Sequence, residues 1–309
     1  MQALLDVILP VFLVIGIGYF CVWRGVISAE TSEGVMQFAT GLAVPFIIFQ
    51  AISKLDLGEE FQPSLLISFY AGAVSGFVLG YVGARKFFGR SIEDSIAIGF
   101  CGLFSNSMLL GVPISERAFG AESLSANFAI ISVHSPICYG IGITSMELVK
   151  SSGTTGMAKA RKVFKSMFSN PMVLACLTGA VFNIFDLRLP NAIDDAIGMI
   201  AKAGLPAALF GIGGILSQYR PEGDLRVIIY ICCMSLILHP AVTWITGKTM
   251  GLSEDAFRSA VITASMAPGV NTFVFAHVYG HAKRVAASSV LIATTASIVT
   301  IWVWLFLLQ

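Results

Sequence analysis

Residues 104–113 read FSNSMLLGVP, and this short stretch decides how the surrounding chain can fold. It lies in a long apolar segment in which an uninterrupted helix would be expected. The residues that disfavour such a helix are Ser105, Asn106, Ser107, Gly111 and Pro113. Proline removes a backbone hydrogen bond and clashes with the preceding helical turn. We therefore predict a broken helix whose backbone is held open by Gly111 and Pro113.

Composition decides the solvent around that helix. Of the 309 residues, 56% are hydrophobic and only 12% are charged. A soluble domain carries about 25% charged residues, because its water-facing surface needs them. The chain is therefore predicted to be an all-α membrane protein, with lipid as its main surroundings. Its net charge of +1 and its lack of a basic run with interleaved aromatic residues argue against a nucleic-acid partner.

The apolar segments can be counted, because a helix needs about 20 apolar residues to cross the hydrocarbon layer. Ten segments are predicted to span the membrane: 3–23, 31–53, 63–85, 91–115, 122–148, 168–186, 192–218, 225–247, 255–278 and 284–308. Alternate connections hold thirteen Lys and Arg residues on one side and five on the other. Cytoplasmic loops retain Lys and Arg, so both termini are predicted to lie outside, in the periplasm.

The segment 149–167 divides the spans five and five and is predicted to be a cytoplasmic linker. The two parts that it joins are 1–148 and 168–309. Because each part has an odd number of spans, a repeat of this kind must be inverted in the membrane. Three features recur at a spacing of 161 residues: Pro10 with Pro171, Pro45 with Pro206, and the acidic pair at Glu93 with that at Glu254. Two inverted five-helix repeats are therefore predicted.

This alignment places a second interrupted stretch, SMAPGVNTFVFA (265–276), opposite FSNSMLLGVP. In lipid, a broken helix survives only around a buried or water-filled site, and paired breaks in two inverted halves indicate a substrate site. The N-terminal ends of the half-helices carry partial positive charge, which suits an anion. The second break adds to the predicted site Pro268, Gly269, Asn271 and Thr272. The alternative is that these small residues only help membrane helices to pack.

Two of the ionisable residues within the predicted spans are candidates for the site, because charge inside a membrane is costly and usually functional. His134, in the fifth span, is interpreted either as a substrate or proton contact or as a hydrogen-bonded packing residue. Lys202, in the seventh span, is interpreted either as a counter-charge for an anionic substrate or as a side chain that reaches the membrane surface along its apolar stem. No metal site is predicted from His277 and His281, because the glutamate of the usual helical zinc motif is missing.

The sequence has none of the motifs of nucleotide-binding, hydrolase or zinc-protease chemistry, so neither a cofactor nor an enzymatic activity is predicted. The leading hypothesis from the residues is a secondary transporter of a small anion. A membrane sensor that binds the anion without moving it is the alternative. Which anion is carried, and whether H⁺ or Na⁺ is coupled, stay open at this level.

Three stretches carry a resemblance to a known family: LAVPFIIFQAIS (42–53), NSMLLGVP (106–113) and GVNTFVFAHVYG (269–280). They are similar to motifs of the auxin efflux carrier family, which includes plant auxin transporters and bacterial malonate and malate permeases. The resemblance implies that the anion, whether carried or bound by the alternative sensor, is a small organic acid, a mono- or dicarboxylate, and that the membrane is a bacterial inner membrane. Plant members of the family differ in having proline at the positions of Ser105 and Ala267.

The resemblance implies ten helices in two inverted repeats, with the broken helices 4 and 9 crossing at the site. It also implies a scaffold of helices 1, 2, 6 and 7, which commonly forms a homodimer, and an elevator-like movement of the other helices. Carried over by motif, Ser105 and Asn106 fall at one crossing and Ala267 to Asn271 at the other. His134 falls where plant members place a glutamine that contacts the carboxylate, and Val44 falls in an apolar wall of the site.

Overall fold

A computed structural model describes residues 4–55, 61–149, 170–220 and 222–308. Within these ranges every regular element is helical, apart from a single antiparallel bridge between Ser105 and Pro268. Seven of the described helices are long and apolar enough to cross a membrane, which confirms the predicted all-α membrane fold at this level. The predicted linker 149–167 lies outside the described residues, except for Val149.

The described α-helices are α1 (Leu9–Trp23), α2 (Ala29–Phe38), α3 (Val44–Lys54), α4 (Pro63–Lys86), α5 (Ile92–Leu103), α6 (Val112–Phe119), α7 (Leu124–Val149), α8 (Pro171–Ile184), α9 (Asn191–Gln218), α10 (Leu225–Cys233), α11 (His239–Thr249), α12 (Glu254–Ala264), α13 (Val270–Tyr279) and α14 (Lys283–Leu307). Short π turns continue α2 into α3 and α10 into α11, so that each pair forms one long membrane-crossing helix.

Three of the ten predicted spans do not appear as long continuous helices in the described structure. The segments 91–115 and 255–278 are each divided by non-helical residues, so neither half has the length of a full crossing. The segment 168–186 contains α8, which has 14 residues and is shorter than the roughly 20 that a perpendicular crossing needs. Ten spans are predicted and seven long helices are described because two of the other segments are interrupted and one contains only a short helix.

Four prolines follow π turns at the same offset. The turns Leu4–Ile8, Ala39–Ala43, Ser107–Gly111 and Met234–Leu238 each end two residues before a proline, namely Pro10, Pro45, Pro113 and Pro240. Proline lacks an N–H group and its ring clashes with the carbonyl one turn earlier. A wider π turn relieves this clash and lets the helix continue.

The helices form two tightly packed groups. The first group contains α1, α2, α3, α8 and α9, and α1 packs on α9 while α8 packs on α3. Glycine permits the close approach of α1 and α9, since a Cβ atom on Gly18 would collide with the Phe210 carbonyl. The second group contains the remaining helices, and α4 packs on both α5 and α11. Gly76 and Gly102 face each other across the contact between α4 and α5.

Polar contacts join the connections at two opposite faces of the protein. At the face that we call the linker face, the contacts are Arg90 with Asp224 at 2.8 Å, Asp94 with the Ala282 N–H at 3.0 Å, and Arg284 with Glu222 at 3.4 Å. At the face that we call the terminal face, they are Lys54 with Asp194 at 3.1 Å, Asn183 with the Leu55 carbonyl at 2.7 Å, and Arg258 with the Leu308 carbonyl at 3.3 Å. The terminal face holds the C-terminal end of α14.

Candidate functional site

The two interrupted helices meet at their breaks. Helix α5 ends at Leu103 and α12 ends at Ala264, and the chain is non-helical at 104–106 and 265–269. The Asn106 N–H donates to the Ala267 carbonyl at 2.8 Å, and the Gly269 N–H donates to the Phe104 carbonyl at 3.0 Å. These bonds satisfy backbone groups that would otherwise be stranded away from water. The crossing is therefore held together by the main chain.

His134 of α7 forms a hydrogen bond to the backbone of the first break. Its side chain is buried, and its Nε2 lies 3.2 Å from the Ser105 carbonyl oxygen. A carbonyl can only accept, so Nε2 carries the proton of this hydrogen bond. The imidazole also packs edge-on against Phe104, with ring centroids 4.8 Å apart. His134 thus fixes the break and at the same time borders the space beside it.

Three hydroxyl groups at the breaks are occupied by local hydrogen bonds. The Ser105 and Ser107 hydroxyl oxygens lie 2.7 Å apart. Thr272 donates its hydroxyl to the Gly269 carbonyl at 2.7 Å and is fully buried. The Thr272 hydroxyl therefore closes the first turn of α13 instead of facing a ligand.

Each break exposes the N-terminal end of a half-helix. Gly269 precedes α13, and Asn106 precedes the π turn Ser107–Gly111. Neither end is capped by a side chain. The first N–H groups of a helix have no acceptor within the helix, and together they carry the positive end of its dipole. Both ends can therefore donate hydrogen bonds to an anion.

A cavity of about 490 Å³, which we call the crossing cavity, lies beside the two breaks. Its polar lining residues are Gln37, Thr40, Ser105, Asn106, Ser107, Ser132, His134, Ser135, Asn170 and Asn271. The lining residues that the structure describes include no Lys, Arg, Asp or Glu. The cavity therefore offers amide, hydroxyl and backbone donors in place of a charged side chain.

The structure brings together six of the predicted site residues around this cavity: Ser105, Asn106, Ser107, His134, Gly269 and Asn271. Pro268 lies in the bridge itself, and Thr272 is used inside α13. Gly111 ends a π turn and Pro113 lies in the first turn of α6, so the helix is open a few residues before them.

Val44 and Lys202 do not border the crossing cavity. Val44 is completely buried at the start of α3. Lys202 lines a separate cavity of about 730 Å³, together with Gln50, Lys54 and Arg117. His277 and His281 do not share a helix face, because α13 ends at Tyr279 and Gly280 adopts a φ of +84°. His281 instead lies 3.3 Å from an Asp94 carboxylate oxygen.

Sequence reasoning missed five polar residues of the crossing cavity: Gln37, Thr40, Ser132, Ser135 and Asn170. Four of them carried a signal. Gln37 and Thr40 are three residues apart and must share one face of a helix. Ser132 and Ser135 flank His134 and were visible as a polar cluster in the fifth predicted span. Asn170 caps α8 by accepting the Met172 N–H at 2.9 Å, and no sequence feature placed it near the breaks.

Comparisons with known proteins cover nearly the whole chain. The family of membrane transport proteins matches residues 3–305. The uncharacterized transporter YfdV of Escherichia coli (strain K12) is 23% identical over 97% of this chain and 96% of its own length. Auxin efflux carrier component 8 of Arabidopsis thaliana is 22% identical over 91% of this chain and 90% of its own length. A proposed malonate transporter of Rhizobium meliloti (strain 1021) is 22% identical over 100% of this chain and 97% of its own length. The predicted resemblance to the auxin efflux carrier family is thereby confirmed.

Proposed function

Because the chain belongs to the membrane transport protein family, we propose that it is a secondary transporter of a small organic anion, a mono- or dicarboxylate. The observation that carries this proposal is the crossing itself, where two uncapped half-helix ends border a cavity lined by amides and hydroxyls. Names of relatives point to the same chemistry, since one is named for malonate and another for auxin.

The donors around the crossing cavity favour a carboxylate over a neutral ligand. Hydrogen bonds to a charged group contribute about 1.5–3 kcal/mol each, roughly twice as much as neutral ones. The side-chain amides of Asn106 and Asn271 supply such donors, and the half-helix ends add N–H groups. The volume of about 490 Å³ fits a small organic acid.

The proposal includes ten membrane crossings arranged as two inverted repeats. Its support is the symmetry of the helix contacts. The contact of α1 with α9 corresponds to that of α8 with α3, and the contact of α5 with α14 corresponds to that of α12 with α7. The facing contacts of α4 with α11 and of α3 with α9 lie where the symmetry axis would pass.

We further propose that the second group of helices carries the substrate by sliding against the first group. Each group is joined internally by glycine-mediated backbone contacts, such as Gly18 on Phe210 and Gly76 on Gly102. Ile48 of α3, together with Leu110 and Ile131 on the second group, belongs to one apolar cluster that spans the two groups. An apolar surface has no directional bonds to break and can slide at low cost.

The orientation and location are proposed from charge. The turns of the linker face are rich in Lys and Arg, so this face is placed in the cytoplasm and both termini outside. The crossing cavity includes Gln37 and Asn170, which lie toward the linker face. We therefore propose that the crossing cavity opens toward the cytoplasm.

Counterflow in proteoliposomes tests the proposal. Vesicles loaded with unlabelled malonate, malate or indole-3-acetate receive the labelled acid, and a transporter accumulates the label by exchange. A sensor that binds without transport would show no accumulation with any acid, which would refute the proposal.

The matched variants are Asn106→Ala and Asn191→Ala, the latter at the exposed start of α9. Asn106→Ala loses one charge-assisted hydrogen bond. The concentration of acid that gives half-maximal transport is therefore expected to rise about 10- to 150-fold. Asn191→Ala should behave as the wild type. Equal transport by the two variants would show that Asn106 at the crossing does not take part in transport.

A further inference from the structure

The second cavity lies on the opposite side of the crossing from the first. Its volume is about 730 Å³, and it shares no lining residue with the crossing cavity. It is bordered by Gln50 and Lys54 at the terminal face, whereas the crossing cavity extends to Asn170, toward the linker face. We call it the terminal cavity. The α2–α3 helix and helices α7 and α9 contribute residues to both cavities, at different heights.

One continuous helical stripe connects the two cavities. Gln37 and Thr40 border the crossing cavity, and Ile47 and Lys54 border the terminal cavity. Val44 lies between them on the same face and is fully buried. At 1.5 Å per residue, Thr40 and Ile47 are about 10 Å apart along the axis. The two cavities are therefore in line, separated by one apolar layer at the level of Val44.

The charges around the terminal cavity leave a surplus of one positive group. Lys54 is paired with Asp194 at 3.1 Å, and the charge of Arg117 is accompanied by that of the adjacent Glu116. Arg117 also donates to the Asp6 carbonyl at 3.1 Å, which accepts the bond without neutralising the charge. Within the described part of the chain, the Lys202 ammonium has no hydrogen-bond or ion-pair partner.

We propose that the terminal cavity is a second carboxylate site, in which Lys202 binds the acid group while the apolar wall receives the rest of the molecule. The substrate class rests on the proposed function of the crossing. Leu205, Leu209 and Phe128 supply part of the wall. An unpaired cation in a cleft with low-dielectric walls raises the local concentration of anions. The site therefore gathers substrate on the side of the apolar layer that the crossing cavity does not reach.

Reductive methylation of lysines tests this site without relying on transport. The purified protein in detergent is treated with isotopically labelled formaldehyde and cyanoborohydride, and the rate at each lysine is followed by mass spectrometry. The probes are acetate, malonate and benzoate, each compared with chloride at equal ionic strength. Lys248, which lies 4.5 Å from the Phe257 ring centroid and outside the cavity, is the internal control.

At least one carboxylate is expected to slow the methylation of Lys202 threefold or more and to leave Lys248 unchanged. A rate at Lys202 that is the same in all salts would overturn the proposal. Parallel slowing of Lys202 and Lys248 would overturn it too, because it would report a general effect of the anion on the protein.

Three variants separate this site from the crossing. Arg117→Gln should weaken the protection of Lys202, whereas Arg188→Gln, at an exposed ion pair outside the cavity, should not. Asn106→Ala should retain the protection of Lys202 even though it impairs counterflow. If Asn106→Ala removed the protection, the slower methylation of Lys202 would be a response to binding at the crossing cavity, and the second site would be refuted. Protection together with normal counterflow in Asn106→Ala would instead refute the function proposed for the crossing alone.

Discussion

Replacing His134 tests whether the break is held open by a side chain on a neighbouring helix. His134→Ala removes the donor to the Ser105 carbonyl, which lies 3.2 Å from Nε2. It also removes a ring that contacts Phe104 at 4.8 Å and Phe69 at 5.6 Å between centroids. His134→Gln keeps an N–H donor of similar reach and loses only the ring contacts. The two variants therefore separate the hydrogen bond from the packing.

The magnitudes follow from these contacts. A carbonyl left without its donor costs about 1–3 kcal/mol. Each edge-to-face ring contact contributes about 0.5–1.5 kcal/mol. His134→Ala is therefore expected to lower the free energy of unfolding by about 2–6 kcal/mol, and His134→Gln, which loses only the two ring contacts, by about 1–3 kcal/mol. Substrate affinity should follow the same order, because the carbonyl that His134 fixes immediately precedes Asn106.

Unfolding in mixed detergent micelles, followed by circular dichroism, gives the free energies, and equilibrium binding of the transported acid gives the affinities. His277→Ala, which removes a more exposed histidine near the end of α13, is the control and should be close to the wild type. Equal losses of stability in His134→Ala and His134→Gln would show that the bond to Ser105 does not hold the break, and the reasoning would fail.

Two further predictions concern packing and the linker face. Gly18→Ala should destabilise the protein by at least about 2 kcal/mol, because its Cβ would meet a backbone oxygen of α9. Gly16→Ala, with no atom within 4 Å of its Cβ, should be neutral or slightly stabilising in the same thermal unfolding assay. Asp94→Ala should cost about 1–2 kcal/mol, because it strands the Ala282 N–H now bonded at 3.0 Å. Glu93→Ala, its neighbour in the same first turn, should cost less than half as much in chemical unfolding; equal costs would assign the effect to the helix dipole.

The sequence located the interrupted segments but not the residues that are non-helical. Gly111 and Pro113 suggested a break around themselves, yet the chain leaves the helix at 104–106 and is helical again before either of them. The reason is that a proline in the first turn of a helix, or after a π turn, fits without a break. Glycine and proline in the sequence show which segment of a helix is weakened. The residues that become non-helical are those that hydrogen-bond to the other broken helix.

Assigning residues to cavities needed the packing of the helices. Lys202 was a reasonable counter-charge by its depth in the seventh predicted span, but it borders the terminal cavity and not the crossing cavity. Val44 was placed in a wall of the site, and it lies in the layer between the cavities. Periodicity gives the face of a residue relative to its own helix. It does not give which neighbouring helix that face meets, so these two assignments required the three-dimensional structure.

The separation of charge from the crossing has a consequence for transport. A carrier must bind its substrate firmly enough to remove it from water and weakly enough to release it. Fixed dipoles and amides, as at Asn106 and Asn271, would compensate the proposed carboxylate without forming a full ion pair. A lysine at the same point would bind the anion more tightly and slow its release. Under the proposed function, a full positive charge at Lys202, beyond the apolar layer, would attract the substrate, and the neutral crossing would move it.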